Sequence, residues 1–177
     1  MSVGVETAAP TPYEAFFRAL RSRGPTLNLL FEQARVSPER EGDTIVRDAF
    51  ASAIVTVLHD MLRDYWSSIG GTKNEWKRAG LPLNGYSVAQ VLAAALDNSR
   101  YFEEWDREKM PALLRRRSVK TLCALLGIQY KKPSKNRPFC GNVCWAVLET
   151  LAGGAGYGGI EASVREFAQQ LENLRAG

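Results

Sequence analysis

The sequence has little of what most enzymatic chemistry draws on. Its 177 residues include one histidine, His59, and three cysteines, Cys123, Cys140 and Cys144. A single histidine excludes any reaction needing a histidine pair within one chain, and any His-rich metal site. Zinc takes four ligands, usually from closely spaced pairs, and His59 lies roughly 80 residues from Cys140 and Cys144. No metal and no cofactor is therefore assigned. The odd number of cysteines suits small buried hydrophobes in a reducing, cytoplasmic setting. Met1 to Pro10 has neither a basic n-region nor an apolar h-region, so it is not read as a secretory signal. No stretch approaches the roughly 18 consecutive apolar residues of a membrane helix, so no membrane partner is expected. Alternating β-branched runs bounded by turns are absent as well, which removes the strand signal.

What is present is a helical pattern over most of the chain. With 45% apolar residues and a net charge of +4, wholesale disorder is excluded. The length is enough to bury a core without disulfide staples. Thr11-Pro12-Tyr13-Glu14 is a capping box with proline at the first helical position. The helix it opens is expected to stop before Gly24-Pro25, and Pro25 to open a short second one. The clearest element follows Asp43, with apolar residues at Ile45, Val46, Ala49, Phe50, Ala53, Ile54, Val57, Leu58, Met61, Leu62, Tyr65, Trp66 and Ile69. Adjacent pairs recur every four residues, close to the helical 3.6, and Gly70-Gly71 ends the run. At 1.5 Å per residue this helix is roughly 40 Å long, the spine of one domain. Thr72 with Glu75 and Ser87 with Gln90 are two further capping boxes, and Tyr86 with Val91 fits a hydrophobic staple. Further helices are expected after Pro111, over Phe139–Leu151 and over Ile160–Leu174. The expected fold is all-α: a single-domain helical bundle of seven or eight helices around one long central helix. It spans residues 11–177, with residues 1–10 as a flexible tail.

The charge is unevenly spread. Residues 107–137 hold ten Lys or Arg and one acid, Glu108, for +9, so the other 146 residues carry −5. One focus is Arg115, Arg116, Arg117 and Lys120. The other is Lys131, Lys132, Lys135 and Arg137, beside Tyr130. Guanidinium and ammonium groups bind phosphate, and a neighbouring aromatic ring can stack on a base. Two other readings compete: an acidic protein surface as the partner, and a solvated helix end whose cations sit well against the macrodipole.

Three smaller features complete the survey. His59 lies at the border of the long helix's apolar face, with Asp60 adjacent in sequence but expected to point elsewhere. Gly154, Gly156 and Gly159 make a formal Gly-x-Gly-x-x-Gly. A helical pattern precedes it where a dinucleotide site needs a strand, so an interhelix hinge is expected. The amides before Ile160 are a candidate anion contact. Asn98-Ser-Arg-Tyr-Phe-Glu-Glu-Trp105 places Arg100 and Glu104 one turn apart, and Arg100 is a candidate phosphate contact.

Two of these pieces carry a family resemblance. Val46-Arg47-Asp48-Ala49-Phe50, leading into the long helix, resembles the early long helix of HEPN-type helical domains. Asn98–Trp105 resembles an Asn-x-x-Arg-His-x-x-Glu-Trp-like segment of proteins near that group. The resemblance covers about a third of the chain. It implies an all-α fold, often dimeric, and a setting in toxin–antitoxin or antiviral systems. In that family ribonuclease activity rests on an Arg-x4–6-His motif. Here position 101 is tyrosine where histidine would stand, and no arginine lies five to seven residues before His59. The expected function is thus a non-catalytic binding module with a basic face, an accessory or regulatory subunit holding RNA or DNA. A protein partner or homodimer through a helical face is also expected. The alternatives are a divergent HEPN-like ribonuclease, which needs His59, Arg63 and Arg100 to converge, and a protein-binding adaptor without nucleic acid.

Overall fold

The computed structural model describes residues 9–37, 43–105, 113–129 and 141–176, without the side chains of 43, 103–105 and 113–115. Most of the tail assigned to residues 1–10 therefore lies outside the described residues. Seven helices are described: α1 (Pro12–Val36), α2 (Asp43–Ser68), α3 (Lys73–Arg78), α4 (Val88–Trp105), α5 (Leu113–Leu125), α6 (Cys144–Ala152) and α7 (Tyr157–Ala176). Among the described residues the only β-type pairing is an isolated bridge between Leu83 and Tyr86. The fold is an all-α, single-domain bundle.

All three capping boxes form. Thr11 Oγ1 accepts from Glu14 N at 3.2 Å, and Glu14 Oε2 accepts from Thr11 N at 2.9 Å. Thr72 with Glu75, and Ser87 with Gln90, repeat the reciprocal pattern. Each box satisfies two amides that a helix start leaves without partners.

The break expected at Gly24-Pro25 does not occur: α1 runs unbroken through Pro25. A proline inside a helix costs about 3 kcal/mol through a lost hydrogen bond and a clash one turn back. Leu20, Leu27 and Phe31, on both sides of it, are buried along one face. Each contributes about 1.5–3 kcal/mol on burial, so continuity of the packed face outweighs the local penalty.

α2 is the spine, packing against α1, α4, α6 and α7. Its buried residues are Ala51, Ile54, Val55, Leu58, Met61, Leu62 and Tyr65. The apolar residues of its first turns behave differently, for Ile45, Val46, Ala49 and Ala53 are exposed. α7 closes the bundle: Tyr13 and Tyr65 donate hydroxyl hydrogen bonds to Gln169 and Glu172. Arg175 grips the turn after α2 through the Ile69 and Gly70 carbonyls and pairs with Glu75 at 3.3 Å.

α6 and α7 meet across a tight turn rather than a hinge. Gly153 ends α6 in the left-handed region at φ 54°. A Cβ on Gly159 would lie 2.1 Å from the Ala152 carbonyl oxygen, so this position needs glycine for close backbone approach. The element before the three glycines is a helix, and the dinucleotide reading fails for that reason.

Gly159→Ala should therefore destabilise the fold by about 1–3 kcal/mol, as overpacking does. Gly158→Ala has open space, so it should be neutral or stabilising by about 0.4–1 kcal/mol. Urea unfolding followed by circular dichroism distinguishes the two.

Candidate nucleic-acid interface

The described part of the basic segment is α5 and the residues just after it, 113–129. Val119, Leu122, Cys123 and Leu125 are buried, and α5 packs on α4. Ser118 Oγ donates to Asp97 Oδ2 of α4 at 2.8 Å, which fixes the rotation of α5 about its axis. The same rotation turns Arg116, Arg117 and Lys120 into solvent. At its far end Asn84 Nδ2 donates to the Ala124 carbonyl at 2.8 Å. Arg115 is on α5 with its side chain outside the described atoms. Tyr130, Lys131, Lys132, Lys135 and Arg137 lie outside the described residues.

The helix-end explanation does not fit these cations. Arg116 and Arg117 stand near the start of α5, and its last turn holds no basic residue. The macrodipole favours cations at the carboxyl end and opposes them at the amino end. The helix dipole thus does not account for Arg116 and Arg117.

The Asn98–Trp105 segment divides by role. Asn98 is fully buried; its Oδ1 accepts from Val143 N at 2.8 Å and its Nδ2 donates to the Gly141 carbonyl at 3.4 Å. It thereby ties α4 to the start of α6. Asn142 adds a second tie, donating to Ser52 Oγ of α2 at 2.8 Å and accepting from Cys144 N at 2.8 Å. Arg100, by contrast, is exposed. It lies three residues beyond Asp97, and its charge acts on His59 of α2. The side chains of Glu104 and Trp105 are outside the described atoms.

His59 does have a carboxylate partner, against the expectation that Asp60 points away. Its Nδ1 lies 3.2 Å from Asp60 Oδ1, and Arg63 Nη2 approaches the same oxygen at 3.6 Å. Neighbours on a helix do not face each other, but a ring nitrogen leaning along the axis can still reach the next carboxylate. Trp76 of α3 sets its ring edge-to-face with the imidazole, centroids 6.3 Å apart. Burial is the main cause that holds the His59 pKa below 6.5; Asp60 opposes it, while the Arg63 and Arg100 charges reinforce it. His59, Arg63 and Arg100 thus share one electrostatic neighbourhood across α2 and α4. Trp76 was not legible as a neighbour, because the contact depends on where α3 folds back. Asp60 was visible in sequence but misjudged on rotation alone.

Cys123 and Cys144 are free and buried. Burial raises both thiols, Cys144 to about 11, so neither is a nucleophile at neutral pH. Among the described residues no group of three or more His, Cys, Asp or Glu could hold a metal ion. Among them too, no helix is long and apolar enough to cross a membrane. No family model, curated protein or solved structure matches the chain.

Two measurements test these assignments. His59 is the only histidine, so its imidazole protons give one set of NMR signals, whose titration midpoint should lie below 6.5. Because folding lowers this pKa, the stability it contributes is complete above about pH 6.5 and falls as pH drops through the depressed value. His59→Gln should flatten that part of the stability profile. Asn98→Ala removes the partner of the part-buried Val143 amide and should cost about 1–3 kcal/mol, seen as a lower urea midpoint.

Proposed function

We propose that the protein is a non-catalytic helical binding module that holds RNA or DNA by its phosphate backbone. The outer face of α5 carries the contact, extended by Arg100 and by the basic segment at 131–137. The observation behind this is the exposed trio Arg116, Arg117 and Lys120 on the first two-thirds of α5. Exposed cations are what a phosphate contact requires, Arg116 and Arg117 stand toward the helix end whose dipole opposes them, and ten cations against one acid give the segment a large positive charge. Tyr130 is the proposed stacking platform. The HEPN-type resemblance adds a setting: a cytoplasmic accessory or regulatory subunit of a bacterial defence or toxin–antitoxin complex.

A divergent ribonuclease is the second reading, and the His59 surroundings favour it. Asp60 on Nδ1 orients the ring and leaves Nε2 as a neutral base, while Arg63 and Arg100 supply positive charge nearby. The Arg-x4–6-His spacing is missing, which places this reading behind the binding module.

The test is charge reversal. Arg115, Arg116, Lys131 and Lys132 are each replaced by Glu, and binding to RNA and DNA is measured against salt. Affinity should fall at least about tenfold. The slope of log K on log salt should become shallower by about 0.7–0.9 for each phosphate that the variant no longer neutralises. Unchanged affinity and slope would reject nucleic acid and leave an acidic protein surface as the partner. Cleavage of RNA that His59→Ala abolishes, with binding retained, would move the assignment to the nuclease.

A further inference from the structure

The Asn84-Gly85 turn joins two helix ends that lie far apart in sequence. Asn84 at φ 49° and Gly85 at φ 88° make a tight reversal, closed by backbone hydrogen bonds in both directions between Leu83 and Tyr86. On one side Asn84 Nδ2 donates to the carbonyl of Ala124, in the last turn of α5. On the other, Ser87 Oγ donates to the Trp76 carbonyl of α3 at 2.7 Å. The path between the two carbonyls is the chain from Asn84 to Ser87 and two hydrogen bonds, about 25 Å at full stretch. Lys77 and Arg78, which follow Trp76, are therefore held across the turn from the end of the basic helix.

The surface on both sides of the turn is short of carboxylates. No Asp or Glu occurs between Glu75 and Asp97, nor within residues 113–129. The two acids that border the first stretch are engaged, Glu75 by the Thr72 amide and Arg175, and Asp97 by Ser118. Lys77 and Arg78 are exposed, and neither makes an ion pair among the described residues. On α5, Arg117, Lys120 and Ala124 follow at spacings of three and four, so the exposed cations and the residue that Asn84 caps share one face. Leu81, 67% exposed, and Pro82 cover the crossing without any charge. The last turn of α3 suits cations in any protein, so position across the turn, and not helix chemistry, is what marks Lys77 and Arg78.

We infer that the nucleic-acid contact continues from α5 across the Asn84-Gly85 turn to Lys77 and Arg78, which hold further phosphates of the same strand. This rests on the nucleic-acid reading proposed above and extends it to a second element. One strand of a duplex presents a phosphate about every 3.4 Å, so a span of about 25 Å covers roughly seven of them. Cations at the two ends of that span neutralise separate phosphates and add to the salt dependence. The closed turn fixes their spacing before binding, so little ordering cost falls on the complex.

Fluorescence anisotropy with a labelled RNA strand of about 20 nucleotides and its DNA counterpart, followed from about 0.05 to 0.3 M salt, tests the extension. Lys77→Gln with Arg78→Gln should lower affinity at least about fivefold at the low end. The slope of log K on log salt should become shallower by about 1.4, the loss of two phosphates of a single strand. Arg21→Gln with Arg23→Gln removes the same charge from exposed positions on α1, which packs on α2 and α7, and should change affinity less than about twofold. Arg116→Gln with Arg117→Gln reads the α5 contact by itself. All three variants replace exposed side chains and should keep the wild-type circular dichroism. Weaker binding from the α5 pair with unchanged affinity and slope from the α3 pair overturns the extension and leaves the α5 contact standing. An equal loss from the α1 pair also overturns it, since net charge would then be the cause. If neither the α5 nor the α3 pair weakens binding, the nucleic-acid reading itself fails and the extension with it.

Discussion

Burial of α2 between Ala51 and Tyr65 is the constraint on which the other helices depend. Four helices pack on this one, and Ile54, Val55, Leu58 and Leu62 in its middle are fully buried. At about 1.5–3 kcal/mol per large side chain, this segment holds a large share of the core's hydrophobic stabilisation. α1 tolerates Pro25 because its apolar face lies along α2. The start of α6 is joined to α2 by a polar tie as well, through Asn142 and Ser52, and to α4 through Asn98. α7 comes back to the far end of α2, where Tyr65 and the Gly70 turn receive Glu172 and Arg175.

The two ends of α2 then differ in chemistry. Its carboxyl-terminal half carries the cluster of His59, Asp60 and Arg63, backed by Trp76. Among the described side chains of its amino-terminal half, the exposed ones are all apolar. α4 beside it is divided in the same way, with Asn98 buried as a tie and Arg100 exposed two positions on. Position along one helix thus separates structural work from surface chemistry, and neighbouring residues in one motif need not share a role.

What was legible in the sequence was what local chemistry decides. Thr11–Glu14, Thr72–Glu75 and Ser87–Gln90 close within four residues, so spacing alone predicts them and the structure forms each. The continuity of α1 was not legible, because the proline rule is local and the compensation comes from side chains packed on other helices. The exposure of Ile45, Val46, Ala49 and Ala53 was hidden for a similar reason. A helix apolar on both sides gives one broad signal, and only the positions of the other helices decide which side is covered. Arg100 and the α5 cluster could be nominated by residue type, but their placement relative to His59 and Asp97 required the fold. Asn98 shows the converse: its sequence context drew attention to a surface motif, while its side chain is entirely inside.

The lone histidine shows how few groups decide between binder and enzyme. Desolvation favours its neutral form, which a general base at neutral pH needs, and Asp60 holds Nδ1 so that Nε2 is left for any proton transfer. Its side chain, however, is only 13% exposed. Trp76 covers it on one side, while Arg63 is turned toward Asp60 and Asp64. A base must come within about 3 Å of the proton it takes, or reach it through one water. Arg116, Arg117 and Lys120, by contrast, are exposed on a helix whose rotation Ser118 and Asp97 fix. Access, more than the identity of the ionisable groups, is the ground on which we propose binding ahead of catalysis.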